Sequence, residues 1–247
     1  MVGPPSDEPS RPAPSPNAEL EALGQTLYTA RCAGCHGAKG DGRGPQAAGL
    51  SIPPSSFVEG VYKLRSTRSG SLPTDQDLFR TLTRGIHGTP MLPWTRLAQD
   101  QRWALVLKLK SFSARFQRER PGPVIPVPSP PREDSALREK GRTLFRVLAC
   151  VNCHGAEGAG DGPGARAYDD SLPKNRDWRF RDFTRGRFIR GAEMKDLYLT
   201  LRAGIDGTPM ASYDALGDDE IWALAAYVRA LVRERPLHEL PPARGRT

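Results

Sequence analysis

Leucines recur four positions apart at Leu78 and Leu82, and again at Leu197 and Leu201, with polar residues between them and a glycine closing each run at Gly85 and Gly204. That spacing stacks the apolar side chains on one face of a helix, and glycine is the residue that most easily takes the left-handed backbone ending one. Ahead of the first run, Thr74 and Asp77 stand three apart as in a capping box. A further helix is predicted from Asp218, Asp219 and Glu220 to Arg229, Arg233 and Arg235, where acids at the start and bases at the end complement the helix dipole. Strict alternation of apolar and polar positions is not found over any useful length, so the fold class reads as all-α. The longest apolar runs, 103–107 and 221–228, fall well short of the roughly 18 residues a membrane span needs.

The pattern occurs twice. Gly-Gln-Thr-Leu-Tyr at 24–28 matches Gly-Arg-Thr-Leu-Phe at 141–145, and Gly-Asp-Gly at 40–42 is followed later by Gly-Asp-Gly at 160–162. Residues 77–85 match 196–204, Gly-Thr-Pro-Met at 88–91 matches 207–210, and Trp-Ala-Leu at 103–105 matches 222–224, all in the same order. Between the copies lies a proline-dense run at 121–131, which can form neither helix nor central strand and reads as an extended, semi-rigid connector. The expected organisation is therefore a Pro-rich lead at 1–17, one domain at 18–120, the linker, a second domain at 132–236 and a tail at 237–247. Within each domain the Gly-, Pro- and Ser-rich stretches before the middle helix read as loops.

At 247 residues the chain has room for two domains of ordinary size, and a hydrophobic content of 38% is lean for filling two cores with side chains alone. The first 16 residues carry six prolines and neither a basic nor an apolar segment, so they are no signal peptide. Charge is uneven. Residues 18–120 hold 15 basic and 8 acidic side chains, whereas 132–235 hold 18 and 17, so the first domain carries the excess and would steer an acidic partner towards itself. Nucleic acid is a poor candidate, because the bases alternate with acids and no recognition module accompanies them. The densest basic run, Lys174, Arg176, Arg179, Arg181, Arg185, Arg187 and Arg190, reads as a solvated loop that pairs with Asp177 and Asp182.

All four cysteines lie in Cys-Ala-Gly-Cys-His at 32–36 and Cys-Val-Asn-Cys-His at 150–154. A C-x-x-C-H run is the attachment signature of c-type haem, in which both thiols add to the haem vinyl groups and the adjoining imidazole takes the iron. One tight helical turn brings Cys32 and Cys35, or Cys150 and Cys153, to one edge of a macrocycle and aims His36 or His154 at its centre. Zinc is disfavoured because the two pairs are over a hundred positions apart, and a disulfide framework suits a shorter chain. Two copies predict two haem c groups.

The sixth ligand decides what each iron does. Of the four methionines, Met1 is in the lead and Met194 opens a predicted helix with no counterpart in the first copy. Met91 and Met210 are equivalent, 55 and 56 positions after His36 and His154, each following Gly-Thr-Pro in a loop between helices. They are the expected distal ligands. His87, four positions before Met91, is the rival at the first iron and has Asp206 as its equivalent in the second copy; His238 lies in the tail.

At these residues the chain resembles a dihaem c-type cytochrome with two tandem class I cytochrome c domains. The resemblance implies that an N-terminal and a C-terminal helix cross beside each haem, with Gly24 and Tyr28 or Gly141 and Phe145 on one side and Trp103 or Trp222 on the other. It also implies a proline carbonyl accepting from each proximal imidazole, with Pro53 or Pro54 and Pro173 as candidates. Haem attachment of this kind is completed outside the cytoplasm, so a periplasmic location or the outer face of the cytoplasmic membrane is implied, with an export signal removed. The function expected is single-electron transfer with redox protein partners, as a carrier or as the cytochrome subunit of a respiratory complex, with no substrate chemistry. The alternative is a dihaem peroxidase, which needs one open haem site and an acid–base group beside it. A thiolate-ligated haem enzyme would need a spare cysteine, and a sensor would need an output domain.

Overall fold

The computed structural model describes residues 9, 12–50, 52–171, 180–186 and 188–233. The first repeat forms α1 (Ala18–Arg31), the single-turn α2 (Ala33–His36), α3 (Asp75–Arg84), α4 (Gln99–Ser111) and the short α5 (Arg115–Arg118). The second forms α6 (Ser135–Val147), the single-turn α7 (Val151–His154), α8 (Pro163–Ser171), α9 (Met194–Ala203) and α10 (Asp218–Ala230). Among the described residues the one strand-like pairing outside these helices is an isolated antiparallel bridge between Thr67 and Val124. The fold class is all-α, as the patterning predicts.

Each repeat is built on a crossing of its first and last long helices, α1 on α4 and α6 on α10. Glycine makes the close approach available: a Cβ at Gly24 would overlap the Ala104 carbonyl, and one at Gly141 would overlap the Ala223 carbonyl and the Tyr227 side chain. The middle helices pack against these pairs through matched aromatics, Phe79 on Trp103 and Tyr198 on Trp222, both at 4.4 Å between ring centroids. Such pairs contribute about 0.5–1.5 kcal/mol beyond the apolar area they bury. The predicted capping box forms at α3, where Thr74 Oγ1 accepts from Asp77 N at 3.1 Å and Asp77 Oδ2 accepts from Thr74 N at 2.9 Å. Gly85 and Gly204 end α3 and α9 with φ of 66° and 65°.

Three expectations change. Residues 163–171 form α8 where a loop was expected; Pro163 opens the helix, the position at which its missing N–H is no loss. The two Gly-Asp-Gly runs are not equivalent, because Gly42 N donates to the His36 carbonyl whereas in the second repeat Gly160 N donates to the His154 carbonyl, both at 2.9 Å. Gly40 and Gly42 thus match Gly158 and Gly160, a two-residue shift. The basic run is no simple solvated loop: Arg185 pairs with Asp182 at 3.0 Å, but Arg190 is 5% exposed. Lys174, Arg176, Arg179, Arg187 and Asp177 lie outside the described residues, as do Pro173, Arg235 and His238.

The repeats dock on one another. Arg65, fully buried, donates through Nη2 to the Ala203 carbonyl and to Asp206 Oδ1, both at 2.8 Å. Arg190 Nη2 donates to the Arg65 carbonyl at 2.7 Å, and Arg84 Nη1 to the Arg190 carbonyl and Asp196 Oδ2 at 3.0 Å. Burial pushes the Arg190 guanidinium down to about 10, against the opposing pull of Asp77 and Asp196. The segment after α5 joins this contact, with Ile125 N donating to the Ser66 carbonyl at 2.7 Å and its side chain lying against the second core.

Candidate functional site

The two C-x-x-C-H runs form single helical turns. Cys32 and Cys150 precede them, and His36 N and His154 N each donate to the cysteine carbonyl four positions back at 2.9 Å. The four thiols are unpaired, and burial pushes the Cys32 thiol up to about 11 and also raises Cys150. One extra residue separates Phe145 from Cys150 compared with Tyr28 from Cys32, and Ala149 absorbs it with a left-handed φ of 57°.

Both imidazoles of the C-x-x-C-H runs lie on a phenylalanine: His36 on Phe57 at 4.5 Å, His154 on Phe183 at 4.4 Å. Neither phenylalanine was singled out from the sequence. The signal was present as a further repeat, Phe-x-x-Gly-x-aromatic at 57–62 and 183–188, with Gly60 and Gly186 both at positive φ. Phe57 N donates to the Gly40 carbonyl and Phe183 N to the Gly158 carbonyl, both at 2.7 Å, which fixes each ring beside its histidine.

The carbonyl next to His36 Nδ1 is that of Ser55, at 3.3 Å, and not that of Pro53 or Pro54. The Phe57–Gly40 bond sets the loop so that residue 55 faces inward, while the Pro54 carbonyl packs against Gly42. Burial is the main cause lowering the His36 imidazole, with the Ser55 carbonyl opposing and Lys63 assisting. In the second repeat, burial takes His154 down to about 4 against the opposing pull of the Arg181 carbonyl, and its Nδ1 makes no hydrogen bond of ordinary length.

The methionine loops agree bond for bond. Ile86 N donates to the Met91 carbonyl at 2.9 Å and Ile205 N to the Met210 carbonyl at 3.0 Å; Met91 N and Met210 N each donate to the threonine hydroxyl two residues back at 3.2 Å. Met194 is buried in the second core, away from the cavity. His87 is exposed and does not line the cavity.

His36, Met91, His154 and Met210 line one continuous cavity of about 1080 Å³ that runs through both repeats. That exceeds the range of about 300–1,000 Å³ usual for a single small-molecule site. Its walls are largely apolar, including Leu78, Leu82, Phe57, Phe183, Leu197 and Leu201. Two buried donors on these walls, Tyr62 Oη and Trp94 Nε1, have no partner in the protein. Paired thiols with an adjoining imidazole, an apolar slot and orphaned donors together suit two haems, each flat and apolar with acidic propionates at one edge. Among the described residues no helix is long and apolar enough to cross a membrane, and no cluster of three or more acidic, Cys or His side chains suits another metal.

The Cytochrome c family profile matches residues 21–112 and 138–231. No curated protein matches the chain. A chain of the reducing HAO-like protein complex of Kuenenia stuttgartiensis is similar at 38% identity, with a TM-score of 0.82, over 90% of this chain and 100% of that one. The thiosulfate dehydrogenase of Marichromatium purpuratum aligns at 21% identity and a TM-score of 0.36, over 90% of this chain and 48% of that one. The chain belongs to the cytochrome c family, with two tandem domains that bind two haem c groups covalently and serve haem-based electron transfer.

Proposed function

We propose that the chain is the dihaem electron-relay subunit of a larger redox complex outside the cytoplasm, at the periplasmic face of the membrane. The observation that carries this is the single cavity lined by both histidines and both methionines, because it makes the two haem sites neighbours inside one docked unit. The domains are taken as 18–120 and 132–236, joined by 121–131. Similarity over 90% of this chain to the whole of a chain of the HAO-like complex favours a subunit over a free carrier.

In this reading Cys32 and Cys35 hold the first haem and Cys150 and Cys153 the second. His36 and Met91 ligate the first iron, His154 and Met210 the second. When bound, haem iron supplies a one-electron ferric–ferrous couple. The protein's part is to hold that couple still and dry. Phe57 and Phe183 fix the imidazole planes, and the Ser55 carbonyl sets the His36 tautomer. The thioether sulfurs and apolar walls favour the less charged ferrous state. Tyr62 Oη, Trp94 Nε1 and Lys63 are placed to receive propionate oxygens, with Lys63 Nζ already donating to Ser55 Oγ at 2.7 Å. The basic excess of the first domain suits an acidic docking surface on the partner, so the association rate should fall as salt rises.

Replacing Met91 and Met210 singly by Ala tests the ligand set. The ferric protein should be low-spin with a methionine-to-iron charge-transfer band, and each replacement should remove about half of that band and lower one of two reduction potentials. A replacement that left both unchanged would remove that methionine from the set. A high-spin ferric fraction that reacts readily with peroxide in the parent protein would favour the peroxidase reading instead.

A further inference from the structure

The repeat places His87 and Asp206 at the same point of the two methionine loops, and the structure gives them opposite surroundings. His87 is exposed. Asp206 accepts three hydrogen bonds, all from the other domain: Arg65 Nη2 at 2.8 Å and Ser69 Oγ at 2.8 Å on Oδ1, and Gly70 N at 3.0 Å on Oδ2. Arg65 also donates to the carbonyl of Ala203, the last residue of α9, so one buried guanidinium grips the chain on both sides of Gly204. From there the loop is closed on Met210 by the Ile205–Met210 backbone bond and by the Thr208 hydroxyl accepting from Met210 N. A displacement of Asp206 therefore cannot be absorbed before it reaches Met210. The loop of Met91 touches the other domain too: at its root Arg84 donates to the Arg190 carbonyl and Asp196, and Gly88 packs on the Arg181 guanidinium, but past Gly85 the place of Asp206 is taken by the exposed His87.

We infer that Asp206 is a positioning residue for the second haem: the first domain, through Arg65, Ser69 and Gly70, holds the Met210 loop in its ligating position. This rests on the reading of Met210 as the iron ligand. Domain docking and methionine ligation at the second haem are then one equilibrium, whereas the first methionine loop is tied to the other domain only at its root by Arg84 and has no counterpart of the Asp206 brace. The softer thioether is held less firmly by ferric than by ferrous iron, so a loosened loop shows first in the oxidised protein.

The test uses the full-length holoprotein with imidazole as a competing ligand for ferric iron, and proton NMR of the ferrous form to follow the two ring-current-shifted methionine methyl resonances. Met91→Ala and Met210→Ala assign those resonances. In Asp206→Asn, which keeps the side-chain size, imidazole should bind one haem about tenfold more tightly, the scale of one lost charge-assisted hydrogen bond. The Met210 resonance should broaden or weaken, while the Met91 resonance and the other haem's affinity stay within about twofold. Ser69→Ala removes a single bond from the opposite side and should shift the same haem by about threefold, which keeps the test open if Asp206→Asn folds poorly. If both variants match the parent while Met210→Ala binds imidazole tightly, the inference is wrong and the ligand assignment stands. If Met210→Ala itself changes neither resonance nor affinity, the assignment fails and the inference goes with it. Equal weakening at both haems would also overturn it.

Discussion

The two halves of this cytochrome share a backbone and differ in their polar trim. The matched hydrogen bonds of the haem-attachment turn, the glycine loop and the methionine loop agree between the halves within about 0.2 Å. Around that frame the first site carries Tyr28, whose hydroxyl donates to the Gly37 carbonyl at 2.7 Å, and the half-buried Lys63; the second has Phe145 and Ile189 in those places. The second site instead has its methionine loop tied across the interface by Asp206. Duplication thus preserved what shapes a haem pocket. Divergence acted where it could alter the charge near each iron and the coupling between the halves.

The largest expected effect strikes the shared frame. Gly24→Ala and Gly141→Ala each push a methyl group into a carbonyl of the crossing helix, and Gly141 also faces the Tyr227 side chain. Gly141→Ala should cost about 3 kcal/mol of unfolding free energy and more than Gly24→Ala, as measured by denaturant titration. The opposite ranking would mean that the second crossing relaxes more easily than its geometry indicates.

Charge comes next. Lys63→Met removes a half-buried cation whose charged form partial burial already disfavours. The potential of the first haem should fall by the equivalent of about 1.5 kcal/mol, roughly 60 mV for one electron, with the second nearly unmoved. Spectroelectrochemical titration would resolve this, and an equal fall at both haems would place Lys63 in a shared field. Tyr28→Phe makes the first half like the second at one atom and should cost about 1 kcal/mol, the usual net value of a hydrogen bond. No change in unfolding midpoint would show that water replaces the hydroxyl. Ala149→Gly is the smallest, relieving the left-handed residue before Cys150 and stabilising by about 0.5 kcal/mol once the greater freedom of unfolded glycine is offset. A destabilised variant would show that Ala149 is held by packing and carries little strain.

Much of this was legible in the chain. The leucine spacing with Gly85 and Gly204 located the middle helices, and the Thr74–Asp77 pair located a cap that forms as written. Other features needed the structure. The carbonyl at His36 belongs to Ser55 and not to a neighbouring proline, because a backbone bond between residues seventeen positions apart, from Phe57 to Gly40, turns the loop. The offset of the Gly-Asp-Gly runs is invisible to sequence alignment because Asp41 and Asp161 bring their carboxylates to the same place, beside Gly37 and Gly155, from different loop positions.

By itself the sequence determined the two haem sites, the helical class and the equivalence of Met91 with Met210, because attachment spacing, helical period and cap residues are local and act within a few positions. Only the tertiary structure decided that the two cavities join and that Arg65, Arg84, Arg190 and Asp206 are spent between the domains. Arg65 and Asp206 are 141 positions apart, and nothing in either neighbourhood marks a surface charge from one that docking will bury. Their pairing is set by how two folded domains fit together, after local signals have already done their part.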